Sequence, residues 1–228
     1  MEPQRYQFRD HIWISILALL SLSFITQVFY KIIIGMLQTA EILEPDTQFA
    51  KVLIRLIISS LYCFVIIPFV LKLPKESDSY REYLADIKLI NYHPFSRTLL
   101  VTFSCYLILV IFQLTGSFIY YSYHPGNYVF DFSRNHFLYS VHSLFEEIVY
   151  RGITLTILLT RFSVHKSIFI SALLFGVVHF LNLLNPGSDF IWILAKVVLA
   201  TGYGILFGYL FLKTNSLLPS ILLHWLIN

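Results

Sequence analysis

The stretch FLYSVHSLFEEIVYRGITLTILL (residues 137–159) is apolar enough to cross a bilayer, yet it contains Glu146, Glu147 and Arg151. Ionisable groups at bilayer depth are costly, and membrane helices usually turn them toward a water-filled cavity or a charged partner. Glu147 and Arg151 are four residues apart, which puts both on one helix face and predicts a hydrogen-bonded ion pair. Glu146 is rotated by about 100° from Glu147 around the helix. We therefore expect Glu146 to face a cavity.

The rest of the sequence has the composition of a polytopic membrane protein. Of its 228 residues, 57% are hydrophobic and 13% are charged, about half the charged share of an average soluble domain. A membrane-spanning helix needs about 20 mostly apolar residues, so the sequence predicts an all-α bundle of about seven membrane helices around an intramembrane polar cavity. The predicted spans are residues 12–36, 52–71, 98–120, 137–159, 167–184, 190–212 and 217–228.

Charge distribution predicts partners and orientation. A formal net charge of +3, without basic runs interleaved with aromatic residues, gives no indication of a nucleic-acid partner. The positive-inside rule places the N-terminus in the cytoplasm, and short loops with an Ile-, Phe- and Tyr-rich composition favour a bacterial plasma membrane. We expect one integrated membrane domain, in which residues 1–136 supply N-terminal helices and residues 137–228 supply the functional site.

Polar residues of the later spans are predicted to lie at similar depths. Counted at about 1.5 Å per residue from the cytoplasmic helix ends, Glu146 lies about 21 Å deep, His179 about 20 Å, His224 about 14 Å and Asn228 about 20 Å. A carboxylate, two imidazoles and an amide are sufficient to hydrolyse an amide bond. The carboxylate takes a proton from water, one imidazole orients that water, and the other imidazole and the amide donate to the oxyanion.

Three motifs resemble those of a known family. EEIVYRG (residues 146–152) resembles the EExxxR motif of the CPBP family, which comprises the CAAX proteases and bacteriocin-processing enzymes also called Abi proteins. FGVVH (residues 175–179) resembles the FxxxH motif of that family, and HWLIN (residues 224–228) resembles its HxxxN motif. Their order and approximate spacing also agree. The resemblance covers about residues 137–228.

This resemblance implies an intramembrane glutamate-type endopeptidase that needs no cofactor and acts on a membrane-associated peptide or protein. Glu146 would activate the water, His179 would help to hold it, and His224 with Asn228 would form the oxyanion site. The implied catalytic residues are Glu146, His179, His224 and Asn228, and the implied supporting residues are Glu147, Arg151 and Phe175.

Several alternatives remain open at this point. His142 precedes Glu146 by four residues, so the two could form a purely structural pair. Two histidines and a glutamate could bind zinc, but no HExxH pattern is present, which disfavours a metalloprotease. A non-enzymatic family member, acting as a bacteriocin immunity factor or as a membrane scaffold, is the main alternative function. A transporter is disfavoured because no internal repeat is evident.

Overall fold

The computed structural model describes residues 12–42, 48–70, 83–85, 87–89, 95–123, 140–184, 187 and 189–227. Over these ranges the regular structure is entirely helical, which confirms the predicted all-α class. Four of the described helices are long and apolar enough to cross a membrane. The number seven for the membrane helices stays a prediction. The four helices are Ile12–Thr39, Phe49–Ile66, Val164–Leu183 and Phe190–Thr214.

We number the helices α1 to α7 in chain order. Helix α1 is Ile12–Thr39; α2 is Gln48–Leu61, continued by a π-helical segment Tyr62–Ile66 and by Ile67–Val70; α3 is Phe95–Tyr123. Helix α4 follows a 3-10 turn at Ser140–His142 and consists of Ser143–Glu147, a π-helical segment Ile148–Leu155, and Thr156–Leu159. Helix α5 is Val164–Val177 with a 3-10 extension Val178–Leu184, α6 is Phe190–Thr214 and α7 is Leu218–Ile227.

The fourth predicted span differs most from the structure. The sequence predicts one continuous helix over residues 137–159, whereas residues 137–139 lie outside the described residues and the helix becomes π-helical directly after Glu147. In a membrane, an apolar segment must satisfy its backbone hydrogen bonds internally. This requirement does not determine whether the hydrogen bonds follow the α-helical or the π-helical pattern. Single π-helical turns occur frequently at functional sites. This one begins beside the paired glutamates.

Small residues allow α5 and α6 to pack closely. A Cβ atom on Gly176 would collide with the Thr201 hydroxyl and would lie 2.8 Å from the Val197 carbonyl oxygen. A Cβ atom on Gly204 would lie 2.9 Å from the Ala172 Cα atom. Such contacts are typical of membrane helices, whose association depends on van der Waals packing rather than on a hydrophobic driving force. The α5–α6 pair therefore forms a rigid wall behind the site.

We expect Gly176→Ala to destabilise the protein by about 1–3 kcal/mol, because the added methyl group overpacks the α5–α6 contact. Thermal unfolding in detergent micelles measures this effect. Gly202→Ala is the matched control, since among the described residues nothing lies within 4 Å of a Cβ atom on Gly202. Equal melting temperatures for the two variants would show that the close contact contributes nothing to stability.

Helix α7 packs against α3, α4 and α6. The Ser220 hydroxyl donates to the Phe207 carbonyl oxygen at 2.9 Å and ties α7 to α6. The connection before α7 is short because α6 ends at Asn215 in the left-handed conformation, with φ of 53°, a common helix terminus. This reversal brings the last helix back along α6. Its polar side chain His224 then faces α4.

Helices α1 and α2 close the other side of the site. The Tyr62 hydroxyl donates to the Leu19 carbonyl oxygen at 2.9 Å and accepts from the Ser23 hydroxyl at 2.8 Å. Tyr83 donates to the Cys63 carbonyl oxygen at 2.8 Å, and Cys63 lies within the π-helical segment of α2. Polar contacts of this kind fix the pairing of two otherwise apolar helices.

Candidate active site

Glu147 and Arg151 form a fully buried ion pair. Both side chains are 0% exposed, and Arg151 Nη1 donates to Glu147 Oε1 at 2.8 Å. The predicted i,i+4 pair is therefore present. The guanidinium carbon of Arg151 also lies 4.4 Å from the ring centroid of Phe175 and 5.2 Å from that of Phe207. Cation–π contact with two rings stabilises a charge that has been removed from water.

The pair leaves some of its hydrogen-bonding capacity unused. Within the described part of the chain, Glu147 Oε2 and the Arg151 atoms Nε and Nη2 have no hydrogen-bond partner. Arg151 reaches its position because Gly204 has no side chain; a Cβ atom there would lie 3.2 Å from Nη2. The aromatic rings thus replace hydrogen bonds on one side of the guanidinium. Such an arrangement makes the cation depend strongly on its single carboxylate partner.

His224 connects α7 to both glutamates of α4. Its Nδ1 lies 2.8 Å from Glu147 Oε1, and its Nε2 lies 3.6 Å from Glu146 Oε2. An ionised carboxylate accepts hydrogen bonds only, so Nδ1 carries a proton in this contact and Nε2 is the ring nitrogen that faces Glu146. The ring also stacks on Phe207, with 5.1 Å between centroids. The sequence did not predict the contact between Glu147 and His224.

Glu146 faces a cavity, as its rotation from Glu147 predicts. Its side chain is 27% exposed, with Oε1 at 3.7 Å from His142 Nε2 and Oε2 at 3.6 Å from His224 Nε2. Both distances exceed those of direct hydrogen bonds. A polar gap of this width suits a bridging water molecule. The carboxylate is therefore positioned to hold water between itself and an imidazole.

The cavity has a volume of about 80 Å³, several times the 10–15 Å³ that one water molecule requires. One wall contains His142, Glu146 and His179, from α4 with its preceding turn and from the 3-10 extension of α5. Gln27 of α1 and Arg55 of α2 also line the cavity. Helices from both halves of the chain thus enclose the exposed face of Glu146.

His179 is oriented by the backbone of its own helix. Its Nδ1 lies 3.0 Å from the Phe175 carbonyl oxygen, which can only accept, so Nδ1 carries the proton and Nε2 of the neutral ring is an acceptor. Helix α5 changes from α to 3-10 geometry at Val178, the residue before His179. The imidazole is thereby held at the cavity wall with one nitrogen able to accept from water.

Phe175 lies at the centre of the site. Its ring centroid is 5.2 Å from that of Tyr150, 5.3 Å from that of His179 and 5.5 Å from that of His224, all in edge contacts. The Arg151 guanidinium lies over the same ring. One ring thus fixes the orientation of two histidines and of the buried cation. Such packing is a supporting role of the kind that the motif resemblance implies for Phe175.

The structure brings six of the seven predicted site residues together; Asn228 lies outside the described residues. Sequence reasoning did not assign Arg55 to the site. A charge inside the predicted span of residues 52–71 is the same signal that identified Glu146, and it would have found Arg55 too. Among the described residues, no set of three His, Cys, Asp or Glu side chains is arranged to hold a metal ion.

Comparison with known proteins finds one family. Residues 134–228 match the family model described as type II CAAX prenyl endopeptidase Rce1-like. That range contains Glu146, His179 and His224, and it begins close to the predicted boundary at residue 137. No curated protein and no solved structure matches the chain significantly.

Proposed function

We propose that the cavity cleaves a membrane-associated peptide by glutamate-activated water, because residues 134–228 match the model of the Rce1-like type II CAAX prenyl endopeptidases, a family of proteases that hydrolyse peptide bonds. The observation that carries the proposal is the position of Glu146. Its carboxylate faces the cavity between two imidazoles, at 3.6 Å from His224 Nε2 and 3.7 Å from His142 Nε2. A general base needs a carboxylate within reach of one water molecule.

Glu146 is the proposed base. It accepts a proton from the water while the water oxygen attacks the carbonyl carbon of the scissile bond, which produces a tetrahedral oxyanion. His179 supports this step because its Nε2 is free to accept the second hydrogen of the water. Two acceptors on one water molecule orient its lone pair toward the substrate. The proton held by Glu146 then passes to the leaving amine as the carbon–nitrogen bond breaks.

His224 is proposed to act on the oxyanion. The Glu147 carboxylate at Nδ1 fixes the tautomer and ring orientation, in the way a buried carboxylate orients a catalytic histidine. Nε2 then lies 3.6 Å from Glu146 Oε2, and it donates to the oxyanion when the ring carries a proton on both nitrogens; the proton that Glu146 takes from the water goes to the leaving amine. Glu147 and Arg151 are therefore positioning residues. Asn228 stays a proposed second oxyanion donor.

The proposed substrate is a lipid-modified C-terminal peptide. The family description is that of a CAAX prenyl endopeptidase, and the exposed apolar side chains of the described helices suit a site within the lipid bilayer. A substrate anchored by a lipid reaches such a cavity by lateral diffusion. We further propose that residues 1–136 form part of this cavity, with the N-terminus in the cytoplasm of a bacterial cell.

The test is cleavage of a fluorescence-quenched prenylated CAAX peptide by the purified protein in proteoliposomes. We expect hydrolysis of the prenylated peptide and slower hydrolysis of the same peptide without the lipid. A zinc chelator is expected to leave the rate unchanged. Loss of activity with chelator and its recovery with zinc would support the metalloprotease alternative instead. A folded protein that binds but never cleaves would support the scaffold.

A further inference from the structure

The α1–α2 wall of the cavity carries polar side chains at helical spacing. On each helix the three polar residues are separated by four and then three residues, so they share one face. The set is Ser23, Gln27 and Tyr30 on α1, with Arg55, Ser59 and Tyr62 on α2, and all of these except Tyr30 line the cavity. Ser23 contacts Tyr62, and Arg55 lies over the Tyr30 ring with 5.6 Å to its centroid. The two stripes therefore meet along an antiparallel helix pair.

Arg55 is the cation of this wall. It follows Gln48, the first residue of α2, by seven residues, which places it about 10 Å along the helix axis. Within the described part of the chain, no carboxylate forms an ion pair with Arg55. A guanidinium at this depth costs free energy unless it performs a function or finds an anion. Arg151, by contrast, already has its carboxylate partner.

Arg55 and Glu146 line the same cavity, Arg55 from α2 and Glu146 from α4. A peptide substrate that presents its reacting carbonyl to Glu146 extends across the cavity toward α1 and α2. The anion that all such peptides share, whatever their side chains, is the C-terminal carboxylate. A guanidinium binds a carboxylate through two parallel hydrogen bonds, and amide and hydroxyl groups such as those of Gln27 and Ser59 can complete the set.

We propose that Arg55 binds the C-terminal carboxylate of the peptide substrate and so sets the distance between the chain end and the bond that is cleaved. This proposal rests on the proposed protease function. It assigns the N-terminal helices, which lie outside the matched range of residues 134–228, a direct part in substrate selection. Arg55 is then a binding residue, and its charge also acts on Glu146 without a direct ion pair among the described residues.

The test compares two peptides that differ only at the C-terminus, one with a free carboxylate and one with an amide. We expect wild-type kcat/KM to be about 10- to 100-fold higher for the free carboxylate, the range for one hydrogen bond to a charged group. In Arg55→Gln this preference is expected to disappear, chiefly through a higher KM for the peptide with the free carboxylate. Arg55→Lys is expected to restore part of the preference.

Lys51→Gln is the matched control, because it removes a cation one turn away on α2 from a residue that does not line the cavity. Equal losses on both peptides in Arg55→Gln would overturn the proposal and show that Arg55 only supports the structure. If that variant fails to fold, the wild-type comparison still decides, since cleavage of both peptides at equal rates contradicts the proposal. Cleavage of neither peptide by wild type would instead contradict the proposed function.

An internal carboxylate is a second possible ligand for Arg55. A third peptide, amidated at its C-terminus and carrying an Asp near that end, separates the two sources. We expect it to behave like the amidated peptide. Recovery of wild-type cleavage with the Asp-containing peptide would overturn the assignment to the chain end.

Discussion

Replacing Glu146 by Gln is expected to lower the rate of peptide hydrolysis by roughly 10²–10⁴-fold, the usual contribution of a general base. Gln keeps the shape of the side chain but cannot accept a proton from water. Because neither histidine lies within direct hydrogen-bond distance of Glu146, the change breaks no hydrogen bond to a side chain in the described part of the protein. Single-turnover cleavage of a prenylated peptide in proteoliposomes measures the loss.

Glu41→Gln provides the matched control for this experiment. It makes the same chemical change at an exposed residue after α1, and we expect wild-type cleavage from it. Binding of the uncleaved peptide to Glu146→Gln is expected to persist, since the substituted side chain is not part of the proposed carboxylate subsite. Cleavage by Glu146→Gln within tenfold of wild type would rule out Glu146 as the base.

Replacing Arg151 by Met is expected to lower the free energy of unfolding by about 3–5 kcal/mol, the cost of breaking a buried ion pair by removing one partner. The Glu147 carboxylate would be left at 0% exposure with only His224 beside it. The packing of the guanidinium against Phe175 and Phe207 would change as well. Equilibrium unfolding in mixed micelles measures the difference.

A double variant separates charge from packing. Glu147→Leu combined with Arg151→Met removes both charges, and we expect it to be more stable than Arg151→Met alone, because no uncompensated carboxylate remains. Arg161→Met, an exposed residue after α4, is expected to change stability by no more than about 0.5 kcal/mol. Identical stabilities for Arg151→Met and Arg161→Met would contradict the account of the buried pair.

Spacing and composition were sufficient to predict the all-α class, the Glu147–Arg151 pair and the cavity-facing direction of Glu146. These features depend on local rules: how long an apolar stretch is, and which residues share a helix face. Depth counting also grouped residues of α4, α5 and α7. It gives position along a helix axis to within a few ångströms, which is enough to group residues but insufficient to assign contacts.

The contact between His224 and Glu147 illustrates that limit. Which carboxylate oxygen an imidazole reaches depends on how α7 is rotated against α4, and the sequence of neither helix determines that rotation. It follows from tertiary packing, including the Ser220 hydrogen bond to α6 and the stacking of His224 on Phe207. Hydropathy also does not indicate the π-helical segment Ile148–Leu155, because an α-helix and a π-helix would bury the same apolar stretch.

Arg55 was also left out of the predicted site, but for a different reason. Its sequence signal was as clear as that of Glu146, a charge within an apolar span, but no motif accompanied it. The structure adds that the cation lines the cavity beside Gln27. A search for charged residues within every predicted span, with or without a motif, would have placed the N-terminal helices at the site.

Glu146 is proposed to activate the water, whereas Glu147 is proposed to hold the buried ion pair. A paired measurement on the two adjacent glutamates separates these roles. Single-turnover cleavage and unfolding free energy are measured for Glu146→Gln and Glu147→Gln under the same conditions. We expect Glu146→Gln to lose cleavage by at least about 10²-fold at wild-type stability, and Glu147→Gln to lose several kcal/mol of stability. Cleavage close to wild type in Glu146→Gln, with a stable but inactive Glu147→Gln, would contradict this assignment of roles.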